Sequence, residues 1–269
     1  MTAMSNNRRR FRFAAGILGL SAVMVLSACG GGGGEGEENP PQTTGLVPEA
    51  PPLGATLAPQ AASLQPLAPG ATWTYTGAYF GTPGFSMEYS NVVSHTAAPR
   101  GVIEAATDAF ALGPTEIALG IVGGNVVQTS QVDFDGDGKV DAIDPIVLRS
   151  PVRQNDQIVH TDSRMLTNSD SDGDGLKDSL DFAIYSRVIG TETVELGGSL
   201  GNVSAVRVDL VTVGRMVLTA GAIWPTYTTT LSTWYAPSLG AVRRRLDQGA
   251  PPNQFAPYSD ELLDSVTGL

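Results

Sequence analysis

The sequence predicts a mainly β protein, built as a single, curved antiparallel sheet of meander type. Three observations carry that reading. Gly (32) and Pro (18) together make 50 of 269 residues, about 19%, which suits a chain that turns often. Charged residues are 16%, against ~25% in an average globular chain, which argues against a long-helix or coiled-coil protein. From about Pro66 onward the chain is a succession of short runs rich in β-branched and aromatic residues, separated by turns. No window shows a helical period, apart from a short stretch over residues 259–264.

The N-terminus reads as an address. Arg8, Arg9, Arg10 and Arg12 form a basic region, followed by 16 mostly apolar or small residues from Phe13 to Ala28. That length falls short of the ~20 residues a spanning helix needs. A basic start, a short apolar core and small residues at its end describe a secretory signal. The stretch ends Leu26-Ser27-Ala28-Cys29, which resembles a bacterial lipobox. The resemblance implies cleavage before Cys29 and acylation of its thiol and new amine. Several chains on one residue anchor stably where one is marginal. Gly30 rather than Asp follows, which in lipoprotein sorting implies the outer membrane, on its periplasmic face or the cell surface. Cys29 is the only cysteine, so no disulfide staples the exported domain.

Residues 29–65 read as a tether. Five glycines, Gly30 to Gly34, precede a Pro-, Ala- and Thr-rich stretch without periodic apolar residues. The β domain is placed at residues 66–269. Its predicted strands run over 73–79, 86–94, 101–106, 116–122, 125–132, 145–149, 157–166, 182–196, 203–213, 215–218, 226–235 and 241–246. Alternation sets faces: Val206, Val208 and Leu210 lie on one side, Arg207 and Asp209 on the other. About 200 residues can bury a real core. A single curved sheet needs a cover over its open face, and the sequence shows none.

Three segments resemble strands of a group of uncharacterised bacterial lipoproteins. They are Pro69-Gly70-Ala71-Thr72-Trp73-Thr74-Tyr75, Gly190-Thr191-Glu192-Thr193-Val194, and Thr233-Trp234-Tyr235-Ala236-Pro237 continuing to Gly240-Ala241-Val242-Arg243. The group has a Pro-Ala-Gly turn where this chain has Leu196-Gly197-Gly198. The resemblance implies an antiparallel sheet wrapped as a half-barrel or packed sandwich-like, and it implies no activity.

The acids are the most informative residues. The formal charge is −11, which argues against nucleic acid as a partner. Without the four basic residues of the signal, 12 basic and 27 acidic residues remain, a net of −15. Ten of the 27 fall in two twelve-residue windows starting 37 positions apart. One holds Asp133, Asp135, Asp137, Asp141 and Asp144; the other holds Asp170, Asp172, Asp174, Asp178 and Asp181. Five carboxylates so close repel one another, so the loop needs a cation or open exposure.

The spacing fits Ca²⁺, which takes six to eight oxygens at about 2.3–2.6 Å. Alternate residues of a tight loop aim side chains 1, 3 and 5 at one centre. Glycine at position 6 (Gly138, Gly175) permits the turn. The carbonyl of position 7 (Lys139, Leu176) faces the ion, position 9 adds a further oxygen, and position 12 closes the shell. Mg²⁺ wants a stricter octahedron, and zinc wants nitrogen or sulfur. The windows resemble the Asp-rich calcium loops of EF-hands, thrombospondin type 3 repeats and FG-GAP blades. Asp replaces Glu at position 12, which weakens closure, and strands rather than helices flank the loops, placing each at a strand connection. The expectation is two calcium sites that cross-link a domain without disulfides.

Other motifs read as structural. Gly197-Gly198-Ser199-Leu200-Gly201 matches a nucleophile elbow in letters but lies between two strands. His95 and His160 show no local partner pattern. Trp73, Trp224, Trp234, Tyr75, Tyr227 and Tyr235 could stack on a sugar, but core and strand-surface packing is the better reading. Arg243-Arg244-Arg245 fits a surface strand end. The reading is a non-enzymatic, calcium-stabilised, membrane-anchored β domain with a structural or binding role towards an unknown protein or glycan. The alternatives are an adhesive or glycan-binding module and a hydrolase, the latter needing a histidine within ~3 Å of a nucleophile.

Overall fold

The structure, a computed structural model, describes residues 44–107, 115–128, 146–167, 170–196, 200–219, 221–223, 226–249 and 255–269. The signal stretch, Cys29, the window 133–144, residues 197–199 of the elbow-like motif and Trp224 lie outside the described residues. No α-helix occurs among those described. The strands are β1 (Thr56–Ala58), β2 (Thr72–Thr82), β3 (Phe85–Ala98), β4 (Gly101–Ala106), β5 (Thr115–Val122), β6 (Asn125–Gln128) and β7 (Ile146–Leu148). They continue as β8 (Val152–Arg153), β9 (Gln157–Leu166), β10 (Ser179–Glu195), β11 (Asn202–Val217), β12 (Tyr227–Ala236), β13 (Gly240–Gln248) and β14 (Tyr258–Thr267).

Twelve strands form one antiparallel sheet in the order β7-β6-β5-β4-β3-β2-β14-β13-β12-β11-β10-β9, nearly closed into a half-barrel. It consists of two meanders, β2–β7 and β9–β14, joined where β14 pairs with β2. The mainly β, meander reading of the sequence therefore holds. Strand β14 corrects the one helical expectation. Residues 259–262 pair with β13 on one side and β2 on the other, and Leu263 with β2. Two open edges offer most backbone groups a partner there, which outweighs a weak local pattern.

The break expected between 213 and 215 is also absent. Strand β11 runs through Gly214, opposite Tyr227 on β12. A Cβ at Gly214 would sit 2.4 Å from the Tyr227 ring, so the glycine makes room for a cross-strand aromatic rather than a turn.

The missing cover comes from the stretch read as tether. Leu46 and Val47 pack on Tyr185, Val211 and Val213 on one face of the sheet. Strand β1 pairs with β8 in a small second sheet. Ala61, at 0% exposure, and Leu64, at 1%, then plug a core with Val126, Leu148, Val152 and Val206. Residues 44–65 thus belong to the fold. Their apolar residues showed no period because the segment is extended and irregular, and follows no strand or helix face.

The three lipoprotein-like segments meet in the larger core, around Trp73, Tyr75, Val194, Trp234, Val242 and Leu263. Trp73 Nε1 donates to the Leu239 carbonyl at 2.6 Å, and the Tyr75 hydroxyl donates to the Ala241 carbonyl at 2.7 Å. Trp234 Nε1 donates to Glu192 at 2.7 Å. These aromatics close the core and present no sugar-stacking platform.

Candidate metal centre

The window 170–181 joins β9 to β10, two paired neighbours, so it is a hairpin connection as the flanking pattern predicted. Its tip is built by two glycines in the left-handed region, Gly173 (φ 80°) and Gly175 (φ 85°). These reverse the chain around the Asp170 carboxylate. One Asp170 oxygen accepts the N–H of Gly173 at 2.7 Å and of Asp174 at 3.1 Å; the other accepts that of Gly175 at 2.8 Å. Asp174 in turn accepts the Leu176 N–H at 2.7 Å. As a result Asp170, Asp172 and Asp174, all exposed, bring one carboxylate oxygen each within 4.8 Å of one another.

The base of the loop is different. Asp178 is wholly buried and accepts N–H groups from Ser171 at 2.6 Å and Thr219 at 3.3 Å. Its carbonyl accepts the Thr167 N–H at 2.8 Å. The Thr219 hydroxyl reaches Asp174 at 2.5 Å, tying the tip to the end of β11.

Asp181, the expected closing ligand, is turned away from the tip. It already lies within β10, opposite Arg164 on β9 and Arg215 on β11. Arg164 donates to its two oxygens at 2.6 and 3.1 Å, and Arg215 at 2.9 Å. The Arg164 hydrogen bond holds the Asp181 carboxyl below the usual carboxylate range, against the opposing effect of burial. The reason is the strand. A helix after the loop would swing position 12 back to the ion, whereas β alternation fixes Asp181 on the arginine face. No sequence signal pointed to Arg164, Arg215 or Thr219, which reach the window only through strand pairing.

The tip's donor set fits a hard divalent cation: three exposed carboxylates, oxygen only, held by backbone donors around a common centre. Loop carbonyls and water would complete six or more oxygens. The first window, with Asp133, Asp135, Asp137, Lys139, Asp141 and Asp144, falls between β6 and β7, which also pair antiparallel.

Both histidines lie within strands, His95 in β3 and His160 in β9. His95, 2% exposed, packs on Trp73 and lies 3.0 Å from Glu104, which also meets Arg244 at 3.4 Å. Burial pushes Glu104 up, but the His95 hydrogen bond and the Arg244 charge together hold it below its ordinary value. Arg243 and Arg245, on the opposite face of β13, pair with Asp260 and Asp247. His160 Nε2 does come within 3.2 Å of the Ser186 hydroxyl. Ser186 sits mid-strand, opposite Leu210 and Ile158, and not at an elbow; among the described residues no carboxylate orients the imidazole.

Residues 131–190 match the family model of the Dockerin type I domain. The match takes in both acidic windows and strands of the sheet from β7 into β10. Two solved structures are similar in arrangement. One is a protein of Bacteroides fragilis described as exported and as having a YmcC-like fold (16% identity, TM-score 0.38, covering 76% of this chain and 98% of that one). The other, described as a lipoprotein, is from Parabacteroides distasonis (16% identity, TM-score 0.37, the same coverage). No curated protein matches the chain.

Proposed function

We propose that this chain is a lipid-anchored protein of the cell envelope whose β half-barrel is held by calcium. Its role is structural or binding rather than catalytic. The observation that carries the calcium reading is the convergence of Asp170, Asp172 and Asp174 around two left-handed glycines. The dockerin match supports it, because a calcium-binding module aligns over both windows. We place a second ion in the window 133–144, on the strength of the matching spacing. Cys29 supplies acylation and the outer-membrane location. The partner is a protein or a glycan: a dockerin-like calcium loop favours a protein, and the burial of Trp73, Tyr75 and Trp234 weighs against a glycan platform on those rings. The mid-strand place of Ser186 likewise weighs against a hydrolase.

The test is thermal unfolding in EDTA and in excess calcium, for the native chain and for Asp135→Asn and Asp172→Asn. Calcium at 100-fold over its Kd adds about 2.7 kcal/mol per site. In a domain of this size that raises Tm by roughly 5–10 °C. Each variant should lose one site's share. A native chain whose Tm ignores calcium would sink the reading.

A further inference from the structure

The two meanders face each other across a cavity of about 80 Å³, between β6–β7 at one edge and β9–β12 at the other. Ile184, Val208, Leu210 and Leu231 make its floor, as the alternation of β10, β11 and β12 dictates. Polar groups are few: Gln128, Thr233, Tyr235 and the hydrogen-bonded pair His160–Ser186. No lining residue carries a fixed charge.

Gln128 is the unusual member. It is 4% exposed, it lines the cavity, and among the described residues its Nε2 donor has no hydrogen-bond partner. An unmet buried donor destabilises a fold, so native proteins seldom keep one without a use. An apolar cleft with a few placed polar groups is the usual build of a small-molecule site.

We propose that this cavity binds the end of a neutral aliphatic molecule through a carbonyl oxygen, such as an alkyl amide or ester, with Gln128 Nε2 donating to that oxygen. The apolar floor takes the chain. A volume of about 80 Å³, against the roughly 150 Å³ that houses the six carbons of benzene, takes about three non-hydrogen atoms, which is the carbonyl end of such a molecule. A carboxylate is disfavoured because nothing in the lining neutralises it. Burial lowers the His160 imidazole below its ordinary value, so at neutral pH it too stays uncharged. This site is separate from the acidic loop and does not rest on the calcium reading.

The experiment titrates the full chain with pentanamide, followed by calorimetry and by the side-chain amide resonances of Gln128. A ligand this small should bind with a Kd on the order of 1 mM and shift the Gln128 NH₂ signals saturably. Gln128→Leu removes the donor at similar shape and should weaken pentanamide about tenfold, and pentanoate at neutral pH should bind the native chain about tenfold more weakly than the amide. The resonance shift is read on the native chain, so the test stands even if the variant fails to fold. No saturable shift at Gln128 would mean that only ordered water meets this donor, and the proposal falls. It falls equally if Gln128→Leu binds pentanamide as well as the native chain, or if pentanoate matches the amide.

Discussion

Within one twelve-residue window the same side chain does two opposite things. Asp170, Asp172 and Asp174 are exposed and face one another. Asp178 and Asp181 are buried and already satisfied, one by backbone N–H groups, the other by two arginines. Spacing does not separate the two groups; the backbone does. At the tip, left-handed glycines wind the chain so that alternate side chains converge. From Ser179 the chain is a strand, and alternate side chains diverge to opposite faces. A ligand pattern written for a loop stops applying at the residue where the strand begins.

The sharpest way to break this contrast is Asp181→Ala. It removes a fully buried carboxylate and leaves Arg164 and Arg215 facing each other across β10. Losing one partner of a buried ion pair destabilises by about 3–5 kcal/mol; the partial exposure of both arginines puts the expectation at the lower end, about 3 kcal/mol. Urea unfolding should show the same loss in EDTA and in calcium. A loss that appears only in calcium would make Asp181 a ligand and dissolve the distinction between tip and base.

Acid should sharpen the contrast, with a smaller effect. Asp181 is held low by the Arg164 hydrogen bond, and Glu104 by His95 and Arg244 in spite of burial. A carboxyl with a depressed folded value stabilises the protein above its unfolded value of ~4 and loses that contribution as pH falls through the folded value. Unfolding free energy measured in EDTA should therefore fall below about pH 4. Asp181→Asn should flatten that acid limb. An unchanged limb would mean that the Asp181 pairs add nothing to stability.

Much of the fold was legible. β-Branched runs and turn residues located most strands, because a half-buried sheet face imposes a period of two. Three things were hidden. Strand β14 has no strong pattern of its own and is a strand because β2 and β13 leave it a place. Residues 44–65 pack on both faces of the sheet through scattered contacts, such as Leu46 on Tyr185 and Leu64 with Val126, which leave no period to read. The fate of Asp181 depends on arginines 17 positions before it and 34 after it, brought alongside only by register. Of the metal site, the tip was legible because its geometry is local. The base was not, because its geometry is tertiary.

If tip and base are independent, their perturbations should add. A double-mutant cycle pairs Asp172→Asn, which removes a tip carboxylate while leaving the Asp170 turn intact, with Asp181→Asn. Distant, uncoupled sites add within about 0.3–0.5 kcal/mol, whereas residues in one network couple by 0.5–3 kcal/mol. The cycle should be run in EDTA and again in saturating calcium. Near-zero coupling in both is expected, since Asp172 contacts the tip backbone and Asp181 the arginines of β9 and β11. Coupling that appears on adding calcium would show that the ion reaches through Asp178 and Thr219 to the sheet. The loop would then stiffen the half-barrel itself as well as its own turn.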